Sequence, residues 1–90
     1  MINVKVEQRN GKTYVFCTAC NTILVTNDPS YFLGRINKNE LHALGGCSHF
    51  EVIEVHKDEK SLMHVPQYEK NAVFKNEGKR YITFIVPRQS

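Results

Sequence analysis

Residues 16–25 read "FCTACNTILV". Two cysteines, two residues apart, stand between an aromatic and a β-branched run, so strands are expected on both sides with a pair of thiols at the turn. That segment alone leaves three chemistries open: a redox dithiol, half of a metal site, or small buried side chains. A thioredoxin-like pair opens a helix whose N-terminus stabilises the thiolate, whereas strand-forming "TILV" follows Cys20, which disfavours the redox reading. The choice between the other two rests on residues further along.

Residues 45–50, "GGCSHF", supply what the first segment lacks. Together the chain reads C-x2-C, 26 intervening residues, then C-x-H. Three thiolates and one imidazole satisfy tetrahedral zinc, so Cys17, Cys20, Cys47 and His49 are expected to hold one structural Zn2+. Gly45-Gly46 provides the close backbone bend that a second ligand pair needs. The C-x-H pair is one residue shorter than usual, and His42 and His56 stand as alternative fourth ligands. Three cysteines cannot form a fully paired disulfide framework, and in a reducing compartment C-x2-C points to metal. A chain of 90 residues also has a thin core that gains from such a staple.

Working outward, "INVKVE" alternates apolar and polar residues, and "TYVF" resumes the extended pattern after Asn10-Gly11, a pair suited to a two-residue type I′ turn. A hairpin thus leads into Cys17, and "NTILVT" forms a third strand. Asp28-Pro29 reads as a helix start, Asn37 to Glu40 as a capping box, and Leu41 with Leu44 as one helix face stopped by Gly45-Gly46. "CSHFEVIEVH" returns to strand, residues 57–67 read as a charged connection containing Pro66, and "YEKNAVF" and "RYITFIV" flank a turn at Asn76-Glu77-Gly78-Lys79. The expected architecture is strand-dominated α+β: two β-hairpins and a central strand pair around one zinc site, with a short helical excursion at about residues 28–44. Residues 1–90 are expected to form a single domain, with the zinc-binding core at about 12–56 and the C-terminal hairpin at about 68–87.

A hairpin, a C-x2-C knuckle and a later Cys/His knuckle followed by strands resemble the zinc-ribbon group over about residues 12–56. The helical excursion between the two ligand pairs also suits a treble-clef-like arrangement. Zinc ribbons of this kind commonly serve transcription, translation or nucleic-acid binding, and the resemblance implies such a role here. A zinc hydrolase or deaminase is the enzymatic alternative, since deaminases carry H-x-E and P-C-x2-C around a zinc-bound water. This chain has His49-Phe50-Glu51 and Cys17-x2-Cys20 in reversed order, without the proline, and Cys47 as an extra thiolate that would take the position of the reactive water. The expectation is therefore a non-enzymatic regulatory or adaptor protein, without catalytic residues.

The net charge of +3 permits contact with nucleic acid without demanding it. Arg9, Lys12, Arg35, Lys38, Lys79 and Arg80 are the candidate nucleic-acid contacts, with Tyr14, Tyr31 and Tyr81 available for base stacking. Glu7, Glu40, Glu69 and Glu77 interrupt the same regions, so solvated charge over a small β core accounts equally well for the pattern. The expected partner is nucleic acid or a protein of the transcription or translation machinery. The alternative is a protein-interaction module working through an exposed sheet edge, such as that of the C-terminal hairpin, or through homodimerisation. No stretch approaches the ~18 apolar residues of a membrane span, and the N-terminus lacks the pattern of a secretory signal, so a cytoplasmic protein without membrane contact is expected.

Overall fold

The computed structural model describes residues 3–31 and 40–88. Strands β1 (Val4–Arg9) and β2 (Lys12–Cys17) form the first hairpin, with Arg9 opposite Lys12. Asn10 and Gly11 turn the chain at φ values of 53° and 77°, as a type I′ turn requires. Strand β3 (Ile23–Thr26) pairs antiparallel with β2, and the register slips between Val15 and Phe16. Strand β4 (His42–Ala43) pairs with the far side of β3, giving a four-stranded sheet in the order β1-β2-β3-β4.

The second sheet has the order β5-β7-β6, from β5 (Phe50–His56), β6 (Phe74–Glu77) and β7 (Tyr81–Pro87). Strand-dominated α+β is the observed class: two antiparallel sheets and one principal helix. The two strands expected to form the central pair, β3 and β5, belong to different sheets, and β5 is an edge of its own sheet.

The layers follow from period-two alternation along β7. Ile85 joins Val15, Cys17, Leu24, Val25, Leu41 and Phe50 in a cluster between the sheets, while Ile82 and Phe84 join Val55 on the opposite face. That opposite face is covered by helix α2 (Val65–Asn71), through Val65 and Tyr68, with Ala72 just beyond it. The result is three layers, sheet on sheet on helix, with β7 buried on both faces. A strand covered on both sides reads as a continuous apolar run, which accounts for "ITFIV". Its one polar member, Thr83, is also buried and donates its hydroxyl proton to the Leu41 carbonyl at 3.2 Å.

Three expectations are corrected. Pro29–Tyr31 forms a single 3-10 turn where Asp28-Pro29 predicts a start, but residues 41–44 are not helical. His42–Ala43 instead satisfies the outer backbone groups of β3 as a strand, and Leu41 is buried in the inter-sheet cluster. Strand pairing and burial outweigh the capping-box signal there. Asn37 lies outside the described residues, and the buried Glu40 carboxylate accepts the Arg80 amide at 2.6 Å.

The charged connection contains α1 (Glu59–Leu62) and the start of α2, which consumes residues 68–71. Pro66 sits in the first turn of α2, where its missing N–H has no intrahelical acceptor to lose. The last hairpin therefore begins at Phe74, and its strands run to Glu77 with Gly78, Lys79 and Arg80 as the loop.

Candidate metal centre

Cys17 is the last residue of β2 and is fully buried. Beyond it the chain folds back at once. The Cys17 amide donates to the Thr22 carbonyl at 2.9 Å, and the Asn21 amide donates to the Cys17 carbonyl at 2.7 Å. Asn21 has φ 59°, a left-handed conformation that asparagine tolerates better than most residues. This knuckle returns Cys20 toward Cys17 and leaves the Cys20 side chain exposed, 3.1 Å from the Thr22 hydroxyl.

The second knuckle precedes β5. The Cys47 amide donates to the Phe50 carbonyl at 2.9 Å, and the His49 amide points at Cys47 Sγ at 3.3 Å. A Cβ on Gly46 would lie 2.3 Å from the Phe50 carbonyl oxygen, so only glycine fits the bend. The end of β7 holds this turn from outside. Arg88 donates its amide to the His49 carbonyl at 2.9 Å and its Nε proton to the Cys47 carbonyl at 2.6 Å. Sequence reasoning missed Arg88 in this role, because a positive charge near a chain end gives no sign of which carbonyl it binds.

The two knuckles meet. The three Sγ atoms and one His49 ring nitrogen all lie within 4.8 Å of one another. His49 Nδ1 is 3.7 Å from Cys17 Sγ and 3.8 Å from Cys47 Sγ. Zinc bonds of ~2.3 Å to sulfur and ~2.0 Å to nitrogen give tetrahedron edges of roughly 3.5–3.8 Å, so the donor set fits one tetrahedral ion. Nδ1, the ring nitrogen nearer the backbone, faces the thiols, which is how a spacer of one residue suffices. Cys17, Cys20, Cys47 and His49 can therefore hold one metal ion.

His42 and His56 are not among them. His42 is buried on β4, and His56 ends β5, roughly 20 Å along that strand from Phe50 at ~3.3 Å per residue. Both rings pack against Tyr81, at centroid separations of 6.3 and 5.0 Å.

The electrostatics of the cluster suit a cation. The Thr22 hydroxyl, then the Thr22 amide, pulls the Cys20 thiol down to about 6. Burial raises the Cys17 thiol. Burial also opposes ionisation of Cys47, but hydrogen bonds from the His49 amide and ring outweigh it and the thiol is lowered. The neighbouring Cys47 and Cys20 sulfurs raise His49. Cys20 and Cys47 are thus eased toward the thiolate that a metal needs, whereas Cys17 and His49 keep their protons more firmly and would release them on metal binding.

Of the candidate nucleic-acid contacts, Arg9 and Lys12 face each other across the first hairpin. Arg9 pairs with Glu7, and Lys12 lies 3.3 Å from the buried Asp28 carboxylate. Arg35 and Lys38 lie outside the described residues. Lys79 and Arg80 are exposed on the β6–β7 loop.

A more coherent face emerges on the outer side of the first sheet, where Lys5, Glu7 and Arg9 alternate against Phe16, Tyr14 and Lys12. Tyr14 stacks on Phe16 at 6.1 Å and meets Tyr31 edge-on at 6.0 Å. Lys5 and Phe16 were not singled out from the sequence, although the register that aligns them follows from the Asn-Gly turn. Asp28 anchors this face, accepting from the Tyr14 hydroxyl and from the Ser30 amide at 3.0 Å.

Searches with protein-family models, among curated proteins and among solved structures find no match to this chain. No helix among the described residues is long and apolar enough to cross a membrane.

Proposed function

We propose that this chain is a non-enzymatic, zinc-binding regulatory or adaptor protein that contacts nucleic acid, or a protein that processes it, through the outer face of its first sheet. One observation carries the reading: a three-sulfur, one-nitrogen donor set closed around a single point by two knuckles from different sheets. Four protein ligands fill a tetrahedral shell and leave no position for a reactive water, which favours a structural over a catalytic ion. The Tyr14, Phe16 and Tyr31 rings, bordered by Lys5, Arg9 and Lys12, offer stacking surfaces beside cations, the chemistry that single-stranded nucleic acid requires.

The test is metal analysis of the purified protein, followed by titration with labelled single-stranded oligonucleotide at several salt concentrations. The reading expects close to one zinc per chain, a cobalt-substituted spectrum typical of a closed tetrahedral site, and affinity that falls as salt rises. Less than about half an equivalent of zinc rejects the structural ion, because such sites are tightly held. Salt-independent or absent oligonucleotide binding rejects the nucleic-acid target. A protein-interaction module is the second reading, favoured by β1, which among the described residues has a strand neighbour on one side only.

A further inference from the structure

Strand β1 pairs with β2 on one side and, among the described residues, with no strand on the other. Which of its backbone groups face outward follows from the register. The Thr18 amide donates to the Asn3 carbonyl at 2.8 Å, so Asn3, Lys5, Glu7 and Arg9 direct their N–H and C=O groups toward β2. Val4, Val6 and Gln8 then present theirs to the outside. Val6 is also half-exposed, at 50%, although its side chain shares the inward face with the buried Val15 and Cys17. An apolar side chain at the rim of the inter-sheet core and a row of unpaired backbone groups lie on the same strand.

We propose that this edge pairs antiparallel with β1 of a second copy of the chain, centred on Val6. Charge complementarity selects the partner and the register. Outward-facing groups must meet outward-facing groups, so the two-fold axis can pass only through one residue of β1 opposite itself, and each alternative moves the centre by one residue. Centring on Glu7 sets Glu7 against Glu7 and Lys5 against Arg9. Centring on Lys5 sets lysine against lysine, and centring on Gln8 sets Glu7 against Arg9 but leaves Val4 and Lys5 beyond the partner strand, with Val6 against the Asn10 turn. Centring on Val6 places Lys5 of each copy opposite Glu7 of the other, buries Val6 against Val6, and sets Val4 against Gln8.

In that register the outward N–H and C=O groups of Val4, Val6 and Gln8 all find partners, and the two four-stranded sheets become one of eight. Closed two-fold pairing makes every contact off the axis occur twice, so each Lys5–Glu7 complementarity counts double. A single strand edge falls below the ~1,200 Å² of standard interfaces, which makes the dimer weak and concentration-dependent.

This inference deepens the interaction reading and is independent of oligonucleotide binding, so it is tested on the zinc-loaded full chain without nucleic acid. Sedimentation equilibrium under reducing conditions, from micromolar to about millimolar chain, is expected to show a monomer–dimer equilibrium, as befits a small interface. Lys5→Glu and Glu7→Lys should each weaken dimerisation by roughly tenfold or more, since each creates two like-charge pairs. The double variant Lys5→Glu/Glu7→Lys should return to within about threefold of wild type, because it restores the same pairs in reverse. Val6→Lys should abolish the dimer while retaining zinc stoichiometry and circular dichroism, which keeps a folding defect distinguishable. A wild-type chain that stays monomeric to millimolar overturns the inference. A dimer indifferent to both charge reversals, or a double variant no tighter than the singles, overturns the Val6-centred register.

Discussion

The two faces of β7 are held by different means. Toward α2 the contact is apolar throughout: Ile82 and Phe84 with Val55, closed by Val65, Tyr68 and Ala72. Toward the first sheet, apolar packing is mixed with buried polar groups, Thr83 and Glu40, and the thiol–imidazole cluster lies at one end. Each fully buried Leu or Phe stabilises by roughly 1.5–3 kcal/mol relative to its exposure, and the helix face needs little else. The inter-sheet layer accommodates side chains that gain less from burial. The difference teaches that a small domain can be fastened unevenly, with a donor set able to hold a metal ion on the junction where its core is more polar.

Metal removal is the strongest way to break this comparison. Structural zinc contributes on the order of 10 kcal/mol at neutral pH, comparable with the ~5–15 kcal/mol that holds a whole domain together. Chelation is expected to abolish the cooperative thermal transition. In hydrogen exchange, β1–β3 should lose protection before β7 and α2; equal loss in both regions would mean that the two junctions form a single unit.

The complementary change is Phe84→Ala, which empties a fully buried position on the helix side. It should cost about 3–5 kcal/mol in denaturant unfolding while zinc stoichiometry stays unchanged. Release of metal from the folded variant would show that the apolar face supports the donor set.

The smallest effect is expected at the outer face, where the hydrogen bond to Asp28 pushes the Tyr14 hydroxyl up to about 12. Because this acid is weaker in the folded chain than in the unfolded one, its stabilisation is complete below pH ~10 and is lost as pH rises through about 12. Asp28 behaves oppositely. The Tyr14 hydroxyl, then the Ser30 amide, depresses its carboxyl, so that stabilisation is present above ~3.9 and fades as pH falls through the depressed value. Phenolate absorbance should show one tyrosine ionising well after the others, and Tyr14→Phe should remove that late step while shifting the thermal midpoint by only a few degrees. A late step that survives the substitution would assign the raised hydroxyl elsewhere.

Local chemistry made much of this legible. Asn10-Gly11 specifies both the first turn and the register behind it, and the spacing of Cys17, Cys20, Cys47 and His49 identifies the four side chains that converge. What escaped depends on neighbours distant in the chain. His42–Ala43 is extended because β3 lies beside it, a pairing that the local helix signals do not encode. Residues 65, 68 and 72 do carry a helical spacing, but Pro66 and the surrounding charges disguise it until the apolar face of β7 is known to need a cover. Arg88 belongs to the same class, since its role depends on the strand end that brings it to the Cys47 carbonyl.

The strand order of the second sheet has a consequence in time. A β1–β2 hairpin closes through a two-residue turn and can form on the order of 1–10 μs. By contrast, β5 and β6 each have β7 as neighbour, and the β5–β7 register joins His56 to Tyr81 across both helices. The second sheet cannot grow by adding strands in chain order; β5 must wait for a partner that follows α1, α2 and β6. Completing the second sheet therefore requires one long closure, whose entropy is lost before any β5–β7 ladder bond compensates it. The first hairpin, complete early, gives that slow search a fixed surface on which to end.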